Sequence, residues 1–220
     1  TMAGRMACLH VAQITTTLVS DGIIGLNDFR GDTIRVMKAA GWVHYREVTV
    51  DKNPQSAAVR SKSKSLMFKT LKTDRSWTGP ALADHILIFR KPGDNPVPIV
   101  GGPVDNETWI KWARPVWTDI RETHTLNAAE GRGDKDEKHI APLQLEVIER
   151  CVQLWSNENE TIFSGFCGIG SEGFQSLLCN RRFVGIELKP EYYRTALTNL
   201  RRAELQRGQQ SLFANLEDAS

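Results

Sequence analysis

Gly168, Gly170 and Gly173 stand at the spacing GxGxxG within Thr161-Ile-Phe-Ser-Gly-Phe-Cys-Gly-Ile-Gly-Ser-Glu-Gly173, and Glu187 closes the next apolar run, Arg182-Phe-Val-Gly-Ile-Glu187. Glycines so spaced let a chain turn tightly, bring its backbone close to a ligand and pack the following helix on its strand. A carboxylate at the end of the second strand can accept both hydroxyls of a ribose, which suits a dinucleotide and S-adenosylmethionine (SAM) equally. The pattern predicts a nucleotide-cofactor turn and leaves the cofactor open. The same letters also fit an ordinary strand, loop and helix with glycines at a cap.

Such a turn needs a strand before it, a helix after it and a second strand to carry the acid. Ile162 to Phe166 supplies the first strand, and Phe183 to Glu187 the second. Between them Ser171 is placed to cap a helix that buries Phe174, Leu177 and Leu178. A last helix opens at Pro190 with Tyr193, Ala196, Leu197, Leu200 and Ala203 on one face, and the residues from Gln209 read as a frayed tail. Upstream, Pro142 suits the first turn of a helix in which Leu145, Ile148, Cys151, Val152 and Trp155 recur at spacings of three and four.

The first half of the chain repeats the same grammar. Ala7 to Ile14, Trp42 to Val50 and Ala83 to Arg90 read as strands, and Asn27 or Asp28 caps a helix through Phe29, Val36, Met37 and Ala40 that stops at Gly41. Between the second and third strands the sequence turns basic. Lys52, Arg60, Lys62, Lys64, Lys69, Lys72 and Arg75 are opposed there by Asp74 alone. Lysines and arginines spaced by serines suit phosphate contacts, so Arg60, Lys62, Lys64 and Lys69 are candidate nucleic-acid contacts; a plain solvated loop is the alternative. Trp109, Trp112 and Trp117 serve either core packing or stacking on bases.

Composition sets the frame for these elements. A chain of 220 residues, 40% hydrophobic and 25% charged, has the material for a globular core and is not a disordered segment. No run approaches the roughly 20 apolar residues that span a bilayer, so no membrane partner and a cytoplasmic location are expected. Cys8, Cys151, Cys167 and Cys179 form no CxxC pair, which predicts buried reduced thiols rather than disulfides or a metal site. A net charge of +2 names no polyanionic partner by itself.

The order of parts in the last third resembles the cofactor half of the beta-class amino DNA methyltransferases. His139-Ile-Ala-Pro-Leu-Gln-Leu-Glu-Val-Ile-Glu-Arg150 lies without gaps on that family's His-Pro-Thr-Gln-Lys-Pro-Leu-Glu-x-x-Glu-Arg segment, although of its opening hexapeptide only His139 agrees. Ser164-Gly-Phe-Cys-Gly-Ile-Gly170 occupies the place of the family's Asp-Pro-Phe-x-Gly-x-Gly turn. Arg181-Arg-Phe-Val-Gly-Ile-Glu187 and Pro190-Glu-Tyr-Tyr193 stay close to the family form. The first half is similar to phage and prophage members in particular, through Asp28-Phe-Arg-Gly-Asp-Thr-Ile-Arg35, Arg60-Ser-Lys-Ser-Lys64, Ala81-Leu-Ala-Asp-His85 and Trp117-Thr-Asp-Ile-Arg-Glu122.

The resemblance implies an α/β, Rossmann-like methyltransferase fold, with a mostly parallel sheet, helices on both faces and an N-terminus that is incomplete. It divides the chain into a catalytic-side half at 1–100 with a basic insertion at 52–78, a linker or target-recognition region at 101–138, a SAM-binding half at 139–208 and a tail at 209–220. It also implies SAM as cofactor, with His139, Ser164, Phe166, Gly168, Gly170 and Glu187 around it, and DNA as partner. The methyl group would pass to the N6 amine of adenine or the N4 amine of cytosine.

Two departures from the family carry consequences. Ser164 and Gly165 replace the Asp-Pro that opens the turn. More seriously, the family's tetrapeptide of Asp, Asn or Ser, then Pro-Pro, then an aromatic, is absent, because the sequence has no adjacent prolines. No catalytic residue is therefore assigned within the chain. The expectation is a fragment whose catalytic strand comes from a missing segment or a second polypeptide. A noncatalytic DNA-binding or regulatory subunit of the same fold and a nicotinamide-dependent oxidoreductase are the alternatives.

Overall fold

The computed structural model describes residues 1–16, 18–23, 25–56, 82–100, 104–126 and 142–217. They form two compact units, one from Thr1–Pro98 and Trp109–Ile120, the other from Ile99–Thr108 and Arg121–Ser220.

In the first unit β1 (Met6–Ala12) stops before Gln13, and the expected strand to Ile14 divides there. The Gln13 carboxamide donates to Asp28 Oδ1 at 3.2 Å and accepts the Arg30 backbone N–H at 3.2 Å, which turns the chain toward the next helix. Ile14–Thr16 leaves the main sheet as β2 and pairs, after the short α1 (Leu18–Asp21), with β3 (Gly25–Asn27). Asp28 then caps α2 (Phe29–Ala39), accepting the Gly31 N–H at 2.9 Å. Ile34 and Met37 of α2, together with Trp42, pack on Val11, Leu87 and Phe89.

β4 (Val43–Val50) and β1 both run antiparallel to β5 (Asp84–Arg90), and β6 (Val116–Trp117) runs parallel to β4, giving the order β1-β5-β4-β6. Three of the four strands thus share one direction, and β5 alone is reversed. β6 was not expected. It follows α3 (Asn106–Trp112) and Pro115, and two residues are too few to show an alternating pattern. Trp117 within it is a core residue, 1% exposed, whose indole N–H donates to the Trp112 carbonyl at 3.0 Å. Trp109 is half exposed instead.

Lys52, counted above with the basic insertion, belongs to the interior. Its ammonium lies 2.6 Å from Asp84 Oδ2, the oxygen that also meets His10 Nε2 at 2.9 Å. Burial alone would push the Asp84 carboxyl up, but hydrogen bonds and charge from His10 and Lys52 together hold it below the ordinary carboxylate range. A carboxyl depressed in the folded state stabilises above its unfolded pKa of about 3.9 and loses that contribution as pH falls through the folded value. Asp84→Asn should therefore cost about 3 kcal/mol at neutral pH by stranding a buried ammonium. Urea denaturation at pH 7 and at pH 3 checks this, because the deficit should shrink at the lower pH.

The second unit holds β7 (Thr161–Ser164) and β8 (Arg182–Gly185), paired parallel from Thr161 with Arg182 to Ser164 with Gly185. Its core joins Leu145, Ile148 and Val152 of α4 (Leu145–Trp155), Phe174 of α5 (Ser171–Leu178), and Tyr192 and Ala203 of α6 (Pro190–Glu217), with Leu126 and Ile169. α4 starts at Leu145 and not at Pro142. Gln144 is extended and the Leu145 N–H goes to the His124 carbonyl at 3.0 Å. α6 turns Tyr192 rather than Tyr193 inward, and its backbone stays helical to Glu217, past the point where fraying was expected.

None of the four cysteines is in a disulfide; Cys167 is buried, Cys151 and Cys179 are half-buried, and Cys8 is exposed at the surface, contrary to the expectation that all are buried. Among the described residues no group of histidine, cysteine and carboxylate side chains suits a metal ion. No described helix is long and apolar enough to cross a membrane.

Candidate functional site

The glycine turn lies at the carboxyl ends of β7 and β8, where open parallel sheets receive ligands. Pairing continues beyond the two strands, because the Ile186 N–H donates to the Ser164 carbonyl at 2.9 Å and the Cys167 N–H to the Ile186 carbonyl at 3.0 Å. Glu187 is carried by this extension to the base of the turn. Its Oε2 accepts the Gly168 N–H at 2.8 Å and its Oε1 accepts the Lys189 N–H at 2.9 Å. One carboxylate thus ties the glycine turn to the chain leaving the second strand.

Gly170, rather than Ser171, is the N-cap of α5. It sits in the left-handed region at φ +85°, and Ser171 is the first helical residue and is buried. A Cβ at Gly170 would stand 3.1 Å from Ala196 Cβ and 3.2 Å from Ala196 Cα, so α6 closes on the turn only because the side chain is missing. Gly173 does the packing expected of it, for a Cβ there would come within 2.5 Å of Leu200 and the Phe183 ring. The Gly170 N–H returns to the Cys167 carbonyl at 2.8 Å. Burial, with the charges of Glu172 and Glu187 adding to it, pushes the Cys167 thiol up to about 11, so it is an inert packing group at neutral pH.

Phe166 projects from the turn almost fully exposed, at 89%. On either side of Glu187 in the chain, Leu188 is 93% and Ile186 50% exposed. Exposed apolar side chains bracketing a half-buried carboxylate make a platform for a flat ring beside acceptors for hydroxyls. Ser164 keeps a weak local role, its hydroxyl 3.4 Å from the Phe166 N–H. The structure thus brings together Ser164, Phe166, Gly168, Gly170 and Glu187. His139, Arg60, Lys62, Lys64 and Lys69 lie outside the described residues.

Two further residues at the turn were not singled out from sequence. Leu188 is signalled only by being the apolar residue next to the acid. Asn199 of α6 is buried and donates through Nδ2 to the Ile169 carbonyl at 2.8 Å. A polar residue inside the apolar stripe Tyr192, Ala196 and Ala203 is the signal that marks it.

Residues 27–198 match the family model for N6/N4 DNA methylases. The type II methyltransferase M.BglI of Bacillus subtilis is 27% identical over 120 residues, which are 53% of this chain and 30% of that protein. Among solved structures, a candidate DNA modification methylase of Thermus thermophilus, complexed with SAM, aligns with a TM-score of 0.69 at 18% identity, over 91% of this chain and 70% of its own. The cytosine-N4-specific PvuII DNA methyltransferase aligns with a TM-score of 0.58 at 13% identity, over 88% of this chain and 63% of its own. Those two likenesses speak for the fold, and the chain spans under a third of the curated relative. With the family model covering most of its length, the chain belongs to the N6/N4 DNA methylase family.

Proposed function

We propose that this chain carries the cofactor-binding part of an enzyme that methylates the exocyclic amine of adenine or cytosine in DNA, with SAM as methyl donor. The observation that carries the reading is Glu187 bonded across the glycine turn at the carboxyl ends of β7 and β8. The residues present fit the cofactor. An ionised carboxylate has about four acceptor positions; two of Glu187's are taken by backbone N–H groups, which leaves one on each oxygen for a ribose hydroxyl. Phe166 and Leu188 would flank the adenine, and the amino end of α5 favours the carboxylate of the amino-acid moiety.

SAM supplies an electrophilic methyl on a sulfonium. When bound, it would pass that methyl to the amine nitrogen as the sulfur–carbon bond breaks, with the electron pair staying on sulfur and the amine proton released to solvent. The turn's task is to hold the methyl in line with an amine extruded from the duplex. Family membership removes the nicotinamide alternative that the glycine spacing left open.

The group that would hold the target amine is the one this sequence lacks, and we place it on a strand from outside these residues. The strand order supports this: among the described residues β1 has β5 as its one strand neighbour and β7 has β8, so each has a side on which a further strand could pair. Labelled SAM and mixed-sequence duplex test the reading. The 220 residues alone should transfer no methyl, and the same chain joined to a segment bearing the proline pair should yield N6-methyladenine or N4-methylcytosine. Failure of the joined protein to methylate DNA while binding it would favour the noncatalytic subunit.

The basic insertion is proposed to touch phosphates rather than bases, since lysines are point charges without bidentate geometry. Lys62→Ala with Lys64→Ala should lower DNA affinity evenly across sequences and flatten its salt dependence by roughly one contact per lysine. A parent-like affinity and slope in the double variant would return the stretch to a solvated loop.

A further inference from the structure

We infer that Asn199 is a positioning residue for the cofactor turn, holding the Ile169 carbonyl inward so that the turn keeps the shape that receives SAM. The inference rests on the SAM reading of that turn. Ile169 lies between Gly168 at φ +53° and Gly170 at φ +85°, and a glycine pair leaves the peptides around it easy to rotate. Three bonds fix them. Glu187 takes the Gly168 N–H, the Cys167 carbonyl takes the Gly170 N–H, and Asn199 gives its amide hydrogen to the Ile169 carbonyl. The first two come from within the strand, turn and strand unit, whereas Asn199 reaches in from α6, thirty positions along the chain.

The side chain's setting excludes a casual contact. Asn199 is 1% exposed, on the helix face that otherwise carries Tyr192, Ala196 and Ala203. A carboxamide at such a position costs free energy unless it is bonded, and a leucine there would leave the Ile169 carbonyl without this donor. The small Ala196 one turn earlier lets α6 approach the turn within the short reach of an asparagine. Helix and turn are matched in two ways, by the missing side chain at Gly170 and by the amide at Asn199.

Asn199→Asp tests this, since it keeps the shape and replaces the donor by an acceptor that faces a carbonyl. A buried carboxyl has a raised pKa, so on acidification it protonates and can donate again. At pH 8 the variant should bind SAM about tenfold or more weakly than the wild type, and by pH 5.5 the gap should narrow to within about threefold. Cys167, Glu172, Glu187, Lys189, Tyr192 and Arg202 are titratable or charged groups around the turn, and Asn199→Ala, which keeps all of them and adds no carboxyl, controls for their own titration. Asn199→Ala should show the loss without the recovery. Equal SAM affinity of Asn199→Ala and wild type, or a deficit in Asn199→Asp that does not change with pH, overturns the inference.

Amide hydrogen exchange of Gly168 and Gly170 without ligand reads the brace independently. Both should exchange faster in Asn199→Asp than in wild type at pH 8, with the amides of α4 unchanged, and unchanged turn amides would overturn the brace. A wild type that shows this protection and binds no SAM would instead overturn the cofactor reading.

Discussion

Glu187→Ala is expected to weaken SAM binding by on the order of 3 kcal/mol, roughly a hundredfold or more in Kd, while the protein stays folded. Two losses combine. The ribose hydroxyls lose a charged acceptor, and the Gly168 and Lys189 N–H groups lose the carboxylate that holds the turn against the second strand. Glu187→Gln should fall between the two proteins, because the amide oxygen keeps acceptor capacity for one side. Calorimetric titration with SAM measures all three. An unchanged Kd in folded Glu187→Ala would remove Glu187 from the ribose and leave it a purely structural tie.

Gly170→Ala should be costlier to the fold. A left-handed backbone costs a non-glycine residue roughly 1–2 kcal/mol, and forcing a methyl into packed atoms costs typically about 1–3 kcal/mol. With the Ala196 backbone 3.2 Å from the new Cβ, about 3 kcal/mol is expected, together with loss of SAM binding, because relief requires α6 to move off the turn. Gly208→Ala is the control: it lies on the same helix with nothing within 4 Å of a Cβ, and should stabilise slightly. Thermal unfolding of the pair decides it, and equal melting temperatures would show that α6 does not brace the turn.

The parts of this fold that follow a simple period could be read from the sequence. β4, β5, and the strand, glycine turn and strand unit ending at Glu187 stand where apolar spacing and turn residues put them, and α2 begins at its Asp28 cap, but Phe29, Val36 and Ala40 of its expected inward face are exposed and Ile34 packs inward with Met37 instead. Misreadings fall where a tertiary contact overrides local preference. Gln13 breaks β1 because Asp28 and Arg30 bind its side chain. Ser171 gives up the cap because Gly170 alone can take the left-handed conformation under Ala196. Lys52 reads as one more surface cation until the fold brings Asp84 and His10 to it. The inward face of α6 was placed one residue off at its start, and Asn199 went unseen because an asparagine in an apolar stripe has meaning only once the Ile169 carbonyl is opposite it.

The central claim is that the turn from Ser164 to Gly170, closed by Glu187, is a SAM site. Calorimetric titration of the purified chain with SAM, and separately with NAD, tests it most directly. The account predicts saturable binding of one SAM per chain, weakened roughly a hundredfold in Glu187→Ala, and no heat with NAD. Binding of NAD in its place, or no binding of SAM by folded protein, would contradict it.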